Sequence, residues 1–318
     1  MKRITFLFSL LIASSLSVGS VQAQPTTASS PTPAPAPTAT PAPASKSKST
    51  MPENQKPSYS LGLFMGEQIR MSLQTQGIDV NQEAFSKGLT DGATGATPAL
   101  TVEEAQAGLN MLQQAAQSKV DSKVRGLAVA HAGELFGPTQ TIVSGNPQGT
   151  VTLVEFSDYE CPHCKAMTPI IEDLIEKNPN LRVIHRPFPI INANSTNAAI
   201  AAFAAAQQGR FNEVNSAFMT TQRPLTDDEI RKIIKLTPKL DSKKYEIAIK
   251  GSRIKEELKN NRELGLAIGI RGTPSLLIAK TVTNMDDQQT WPDAAHIYFT
   301  SGEVSEAGLT DLIHKAAE

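Results

Sequence analysis

The chain has 318 residues, with 30 Lys and Arg against 31 Asp and Glu for a net charge of -1, and it is 5% aromatic. Its length leaves room for more than one domain, and its charge balance excludes the basic stripe that nucleic-acid binding requires. Only two cysteines are present, which excludes a disulfide framework.

The first 23 residues read as a cleavable signal peptide. Lys2 and Arg3 precede an apolar stretch from Ile4 to Leu16, and small residues lead to a cut after Ala23. The stretch falls short of the roughly 20 residues a membrane span needs. No cysteine lies near the cut, so lipid attachment there is excluded. The expected compartment is an oxidising one, the periplasm. Residues 24–56 form a Pro/Ala/Thr-rich linker, expected to stay an extended, disordered tether.

Residues 57–115 turn helical. Leu61, Phe64, Met65, Ile69 and Leu73 recur at helical spacing as one apolar stripe, and Gly77 ends that helix. Asn81 can cap a second helix that carries Phe85 and Leu89 inward and stops near Gly92 and Gly95. Thr101-Val102-Glu103-Glu104 is a capping box that opens a third, with Leu109 and Leu112 on its inner face. Three helices in so short a span make a thin core, and association is the usual remedy. Residues 116–135, with Val120, Val124 and Leu127, read as a helical connector weakened by Gly126 and Gly133.

From residue 136 the pattern becomes β-like. Gln140 to Val143 is a first strand, Ser144 to Pro147 a turn, and Val151 to Phe156 a second strand. A helix follows through Leu174, then a parallel strand from Leu181 to Arg186. Residues 192–266 are a helical insertion in which Thr226-Asp227-Asp228-Glu229 is another capping pattern. Strands return at Ser275 to Ile278 and His296 to Thr300, and a last helix carries Leu309, Leu312 and Ile313. This order predicts an α/β thioredoxin fold with an inserted helical domain, preceded by a small all-α domain.

The two cysteines stand together as Cys161-Pro162-His163-Cys164. A bridge across two residues closes almost no loop, so it does little for stability. The spacing suits a thiolate and a resolving thiol that exchange with another disulfide. Cys161 is expected at a helix N-terminus, where backbone N–H groups and the helix dipole favour the anion. Pro162 fits the first turn, and His163 adds positive charge beside the sulfur. Cys164, one turn on, is the expected resolving thiol. A haem site would place His after the second cysteine, where Lys165 stands, and a structural zinc site needs two further ligands. No cofactor or metal is expected.

Two more positions complete the constellation. Arg271-Gly272-Thr273-Pro274 precedes an apolar strand, and a cis bond before Pro274 would bring the Thr273 backbone against the cysteines and leave it free to pair with a bound chain. Glu155, six residues before Cys161, is the candidate buried acid for proton exchange, with an edge salt bridge as its plainer role. His185, His296 and Met167 read as packing or surface residues.

Val154-Glu155-Phe156, Cys161-Pro162-His163-Cys164 and Gly272-Thr273-Pro274 together resemble the DsbA-like branch of the thioredoxin superfamily over residues 136–318. The resemblance implies Cys161 as attacking cysteine, Cys164 as its partner, Glu155 as the buried acid and Thr273-Pro274 as the cis-proline turn. Tyr59-Ser60-Leu61-Gly62, Ala84 to Leu89 and Leu100 to Glu104 resemble the dimerisation segment of FKBP-type periplasmic prolyl isomerases, whose catalytic domain does not follow here. Together these imply a homodimeric periplasmic thiol-disulfide oxidoreductase with oxidase and isomerase capacity. The implied partners are reduced or misoxidised secreted proteins and a DsbB-like or DsbD-like membrane redox partner. The alternative is a dimeric chaperone or envelope interaction protein with a minor redox role.

Overall fold

A computed structural model describes residues 51–75, 77–138 and 142–318. The expected signal peptide, most of the expected linker and the Gln140-Thr141 start of the expected first strand lie outside the described residues. The chain divides into a unit that ends at Ser60 and a second unit, Leu61–Glu318, which carries the sheet and the cysteines.

Three helices come first: α1 (Lys56–Thr75), α2 (Gln82–Thr94) and α3 (Val102–Ala130). Their ends follow local chemistry. Gly77 takes a left-handed φ of 65° beyond α1, and the Asn81 side chain accepts from the Ala84 N–H at the start of α2. Both halves of the Thr101/Glu104 capping box are made. The packing differs from expectation. No residue of α1 or α2 is buried, and Leu109 and Leu112 of α3 lie exposed beside Met111. The apolar stripes exist, but none of the described residues covers them.

Nor is the connector a separate segment. Helix α3 runs unbroken through Gly126, because the hydrogen bonds of a long helix absorb the roughly 1 kcal/mol cost of one glycine. Val124 and Ala128, one turn apart, are buried in a cluster with Phe136, Phe156 and Ile268. The far end of α3 is therefore part of the core beneath the sheet. The short helix α4 (Ala132–Phe136) continues that layer.

The sheet holds β1 (Val143–Gly145), β2 (Val151–Ser157), β3 (Leu181–Pro187), β4 (Ser275–Lys280) and β5 (Tyr298–Ser301) in the order β1-β3-β2-β4-β5. Strands β2 and β3 are parallel and the other pairs antiparallel. All seven residues of β2 are buried, the mark of a central strand covered on both faces. Alternation divides its side chains. Leu153 joins Met167, Ile171 and Leu174 of α5 (Pro162–Lys177) and Leu309 and Ile313 of α11 (Glu306–Ala317) on one face. Val154 and Phe156 face α4 and the ends of α3 and α10 (Ser252–Ala267) on the other.

The insertion consists of α6 (Ala193–Ala206), α7 (Phe211–Thr220), α8 (Asp227–Leu236), α9 (Ser242–Lys250) and α10. Thr226 caps α8 as its pattern predicts. Its core is built on the buried alanines of α6, with Phe203, Val214, Phe218 and Ile254, and it extends to both cysteines. At Gly265 a Cβ atom would lie 2.7 Å from the Phe188 ring, so glycine permits the close approach of α10 to the sheet.

Candidate active site

Cys161 is the N-cap of α5, with extended φ and ψ of -81° and 117°, and Pro162 is the first helical residue. Proline needs no acceptor there, so the turn opens with its remaining N–H groups turned toward the sulfur. Both cysteines are free thiols and both are buried. The insertion closes over them: Tyr159 meets Phe218 edge-on, with ring centroids 5.4 Å apart.

The Thr273–Pro274 peptide is cis, and the Cys161 thiol donates to the Thr273 carbonyl at 3.3 Å. The thiol of Cys161 is lowered to about 5, first by its hydrogen bond with Cys164. Partial burial opposes this, and bonds with Thr273 and the Cys164 and His163 N–H groups reinforce it. Such a group holds about a hundred thiolates per thiol at pH 7. Cys164 is pushed the other way, first by the same bond to Cys161 and then by its burial. The two sulfurs are thereby ordered: Cys161 is the one that ionises readily, while Cys164 is held protonated.

His163 is exposed, with Nδ1 2.6 Å from Glu303 Oε1, and its pKa is raised by that carboxylate. Glu155 is buried on β2, opposite His185 on β3 in the register. His185 Nδ1 lies 2.9 Å from Glu155 Oε2. Its place on a central strand makes the pairing internal, not an exposed ion pair at the sheet edge. The Glu155 charge adds to the raised positions of both Cys164 and Tyr159. The structure thus gathers Cys161, Pro162, His163, Cys164, Thr273 and Pro274 at one end of the sheet, with Glu155 beneath.

Three residues escaped the sequence reading. His185, which reads as a packing residue in the sequence, is the buried partner of Glu155. Glu303 reaches His163 across 140 positions, a separation that no local pattern reveals. Asp158 accepts the Ile190 and Ile191 N–H groups on one oxygen and the Glu160 N–H on the other. It ties the loop before the cysteines to the loop after β3; an Asp between Ser157 and Tyr159 was the one visible signal. Among the described residues no group of three or more His, Cys, Asp or Glu is placed to hold a metal ion.

Residues 138–295 match the thioredoxin family model, and residues 54–136 match the model of the domain amino terminal to FKBP-type peptidyl-prolyl isomerase. Among curated relatives, Na(+)/H(+) antiporter NhaA 1 of Mycolicibacterium gilvum is 29% identical over 145 residues, 44% of this chain and 24% of that protein. The chain therefore spans about a quarter of that relative's length. Among the described residues no helix is long and apolar enough to cross a membrane. The probable disulfide bond formation protein D of Bacillus anthracis is 24% identical over 166 residues, 48% of this chain and 76% of that protein. A thioredoxin-like oxidoreductase from Silicibacter pomeroyi superposes with a TM-score of 0.50 at 27% identity, covering 58% of this chain and 96% of the other.

Proposed function

We propose that the chain, whose residues 138–295 match the thioredoxin family model and whose residues 54–136 match the model of the domain amino terminal to FKBP-type peptidyl-prolyl isomerase, is a DsbA-like protein that forms and rearranges disulfides in secreted proteins of the periplasm. One observation carries the reading. A Cys161 thiol lowered to about 5 stands at a helix N-terminus against the Thr273 carbonyl, with a buried, protonated Cys164 behind it. Cys161 thiolate attacks a substrate disulfide, or the Cys161–Cys164 disulfide accepts attack by a substrate thiolate. Either way a mixed disulfide at Cys161 forms and Cys164 resolves it. Stabilising the reduced form through the thiolate makes the disulfide oxidising. A DsbB-like or DsbD-like membrane partner would reset the pair.

The uncovered faces of α1 to α3 support a homodimer. Leu61, Phe64, Met65, Leu109 and Met111 are each more than half exposed, and helices with no buried residue gain stability by covering such faces. A second copy offers the matching face, and two thioredoxin domains held on one dimer suit rearrangement as well as oxidation. The test uses the full mature chain, wild type against Phe64→Glu with Leu109→Glu, on a reduced and on a scrambled multi-disulfide substrate. The expected result is that both oxidise the reduced substrate while only the wild type unscrambles the other. If both unscramble, the dimer is not needed for isomerisation. If a variant without cysteines still prevents aggregation of a cysteine-free client and neither redox assay responds, the chain is a chaperone.

A further inference from the structure

A cavity of about 220 Å³ lies between β1, β2, β3, α5 and α7, and its wall on α5 includes Thr168, whose hydroxyl donates to the Cys164 carbonyl at 3.1 Å. Its lining includes Glu155, His185, Ser144 and Asn212 with Glu172 and Glu176, and it holds no lysine or arginine. It has room for several waters. Four of these groups form a chain. Glu155 Oε2 lies 2.9 Å from His185 Nδ1, His185 Nε2 lies 2.9 Å from Ser144 Oγ, and Ser144 donates to Asn212 Oδ1 at 2.6 Å.

The proton count follows from this order. Ser144 has one proton and spends it on the Asn212 carbonyl oxygen, so His185 Nε2 must carry the proton it shares with Ser144. The Nδ1···Oε2 contact then holds one more proton, on the imidazole or on the carboxyl. The side chains of His185 and Glu155 are 6% and 4% exposed, so neither has bulk water to exchange with directly.

We propose that His185 is the positioning residue that makes Glu155 an exchangeable base for Cys164, and that the cavity is the route by which the proton leaves. This rests on the redox reading above. In the resolving step the Cys164 thiol gives its proton to the Glu155 carboxylate. The Cys164 thiolate attacks the Cys161 sulfur, the Cys161–Cys164 bond forms, the Cys161–substrate bond breaks, and the substrate leaves as a thiolate. The pair now holds one proton too many, and His185 Nε2 delivers it past Ser144 to solvent in the cavity. The groups that face His185 favour this cationic passage. Glu155 stands on β2 and Glu172 and Glu176 on α5, while β1 and α7 present the uncharged Ser144, Gly145, Asn212, Asn215 and the Phe211 ring, 4.8 Å from the imidazole. Tyr159 reaches the same cavity wall by donating to Asn215.

The experiment follows release of glutathione from a preformed Cys161–glutathione mixed disulfide, from mildly acid to mildly basic pH, in ordinary and heavy water. Glu155→Gln and His185→Gln are each expected to slow release about tenfold or more near neutrality. The double variant should be no slower than the slower single, since the two act as one unit. Ser144→Ala should slow it about threefold and enlarge the solvent isotope effect. Alkylation of Cys161 should keep its wild-type rate in His185→Gln, which separates proton delivery from damage to the nucleophile. An unmoved pH profile in His185→Gln, or losses that multiply in the double variant, would overturn the inference and leave the redox reading standing. Should His185→Gln not fold, Ser144→Ala carries the test, and an unmoved profile there overturns it. If wild-type Cys161 neither alkylates rapidly nor forms the mixed disulfide, the redox reading itself fails and the inference with it.

Discussion

The Cys161 sulfur and the Thr273 carbonyl oxygen lie 3.3 Å apart although 112 residues separate them in the chain. The contact joins the N-terminus of α5 to the cis-proline loop before β4, so the nucleophile sits against backbone that an extended substrate segment could pair with. Under the proposed function, a substrate sulfur would approach over Cys161, from the side of the Thr273–Pro274 loop.

Removing the resolving thiol should change the nucleophile as well as the outcome. The first cause of the lowered Cys161 thiol is its bond with Cys164. Cys164→Ala should therefore raise Cys161 from about 5 toward the ordinary thiol range, read by thiolate absorbance against pH. The same variant should accumulate mixed disulfides with substrates, and Cys161→Ser should form none.

The reduced protein should gain stability on the oxidised one as pH rises. In the folded state Cys161 titrates at about 5 against 9.0 for the ordinary thiol. Between these values the unfolded chain binds the extra proton, so stability rises with pH and is lost as pH falls through about 5. The slope is at most about 1.4 kcal/mol per pH unit. Thermal melts of both redox forms from pH 5 to 9 check it, and a difference that stays flat would refute the lowered thiol.

Glu303 should tune His163 from outside the dipeptide. Glu303→Gln removes the carboxylate that raises His163, so the imidazole titration should move down toward 6.5. Ring proton shifts in nuclear magnetic resonance read this directly. Thiolate absorbance of Cys161 should move by less than one pH unit, since exposed charges are screened.

Asp158→Ala should destabilise the fold by about 2–4 kcal/mol, because three backbone N–H groups lose their acceptor together. Denaturant unfolding measures the loss. Asp158→Asn, which keeps carbonyl acceptance on one oxygen, should recover part of it.

Phe64→Glu should lower the particle mass by light scattering without moving the melting of the thioredoxin domain by more than about 0.5 kcal/mol. Phe64 is 61% exposed and belongs to no core cluster among the described residues.

Local chemistry made much of this readable in advance. Asn81, Thr101 and Thr226 each cap the helix their spacing announces, because capping involves atoms only a few residues apart. The β2 run from Val151 to Phe156 is apolar because both of its faces are covered, and the cysteines follow it at a fixed interval. The apolar faces of α1 to α3 lie exposed, which range also explains. Periodicity shows that a face is apolar but not what covers it.

Legible along the chain were therefore the order of elements, the cysteine pair and the helix turn that holds it, all set by contacts short in chain distance. The company those residues keep came from the folded chain instead: Thr273 beside Cys161, His185 opposite Glu155, Glu303 on His163, and the end of α3 within the sheet's core. Strand register and helix packing make these pairs, and both are cooperative results of burying one core. No residue in such a pair carries a local mark of its partner.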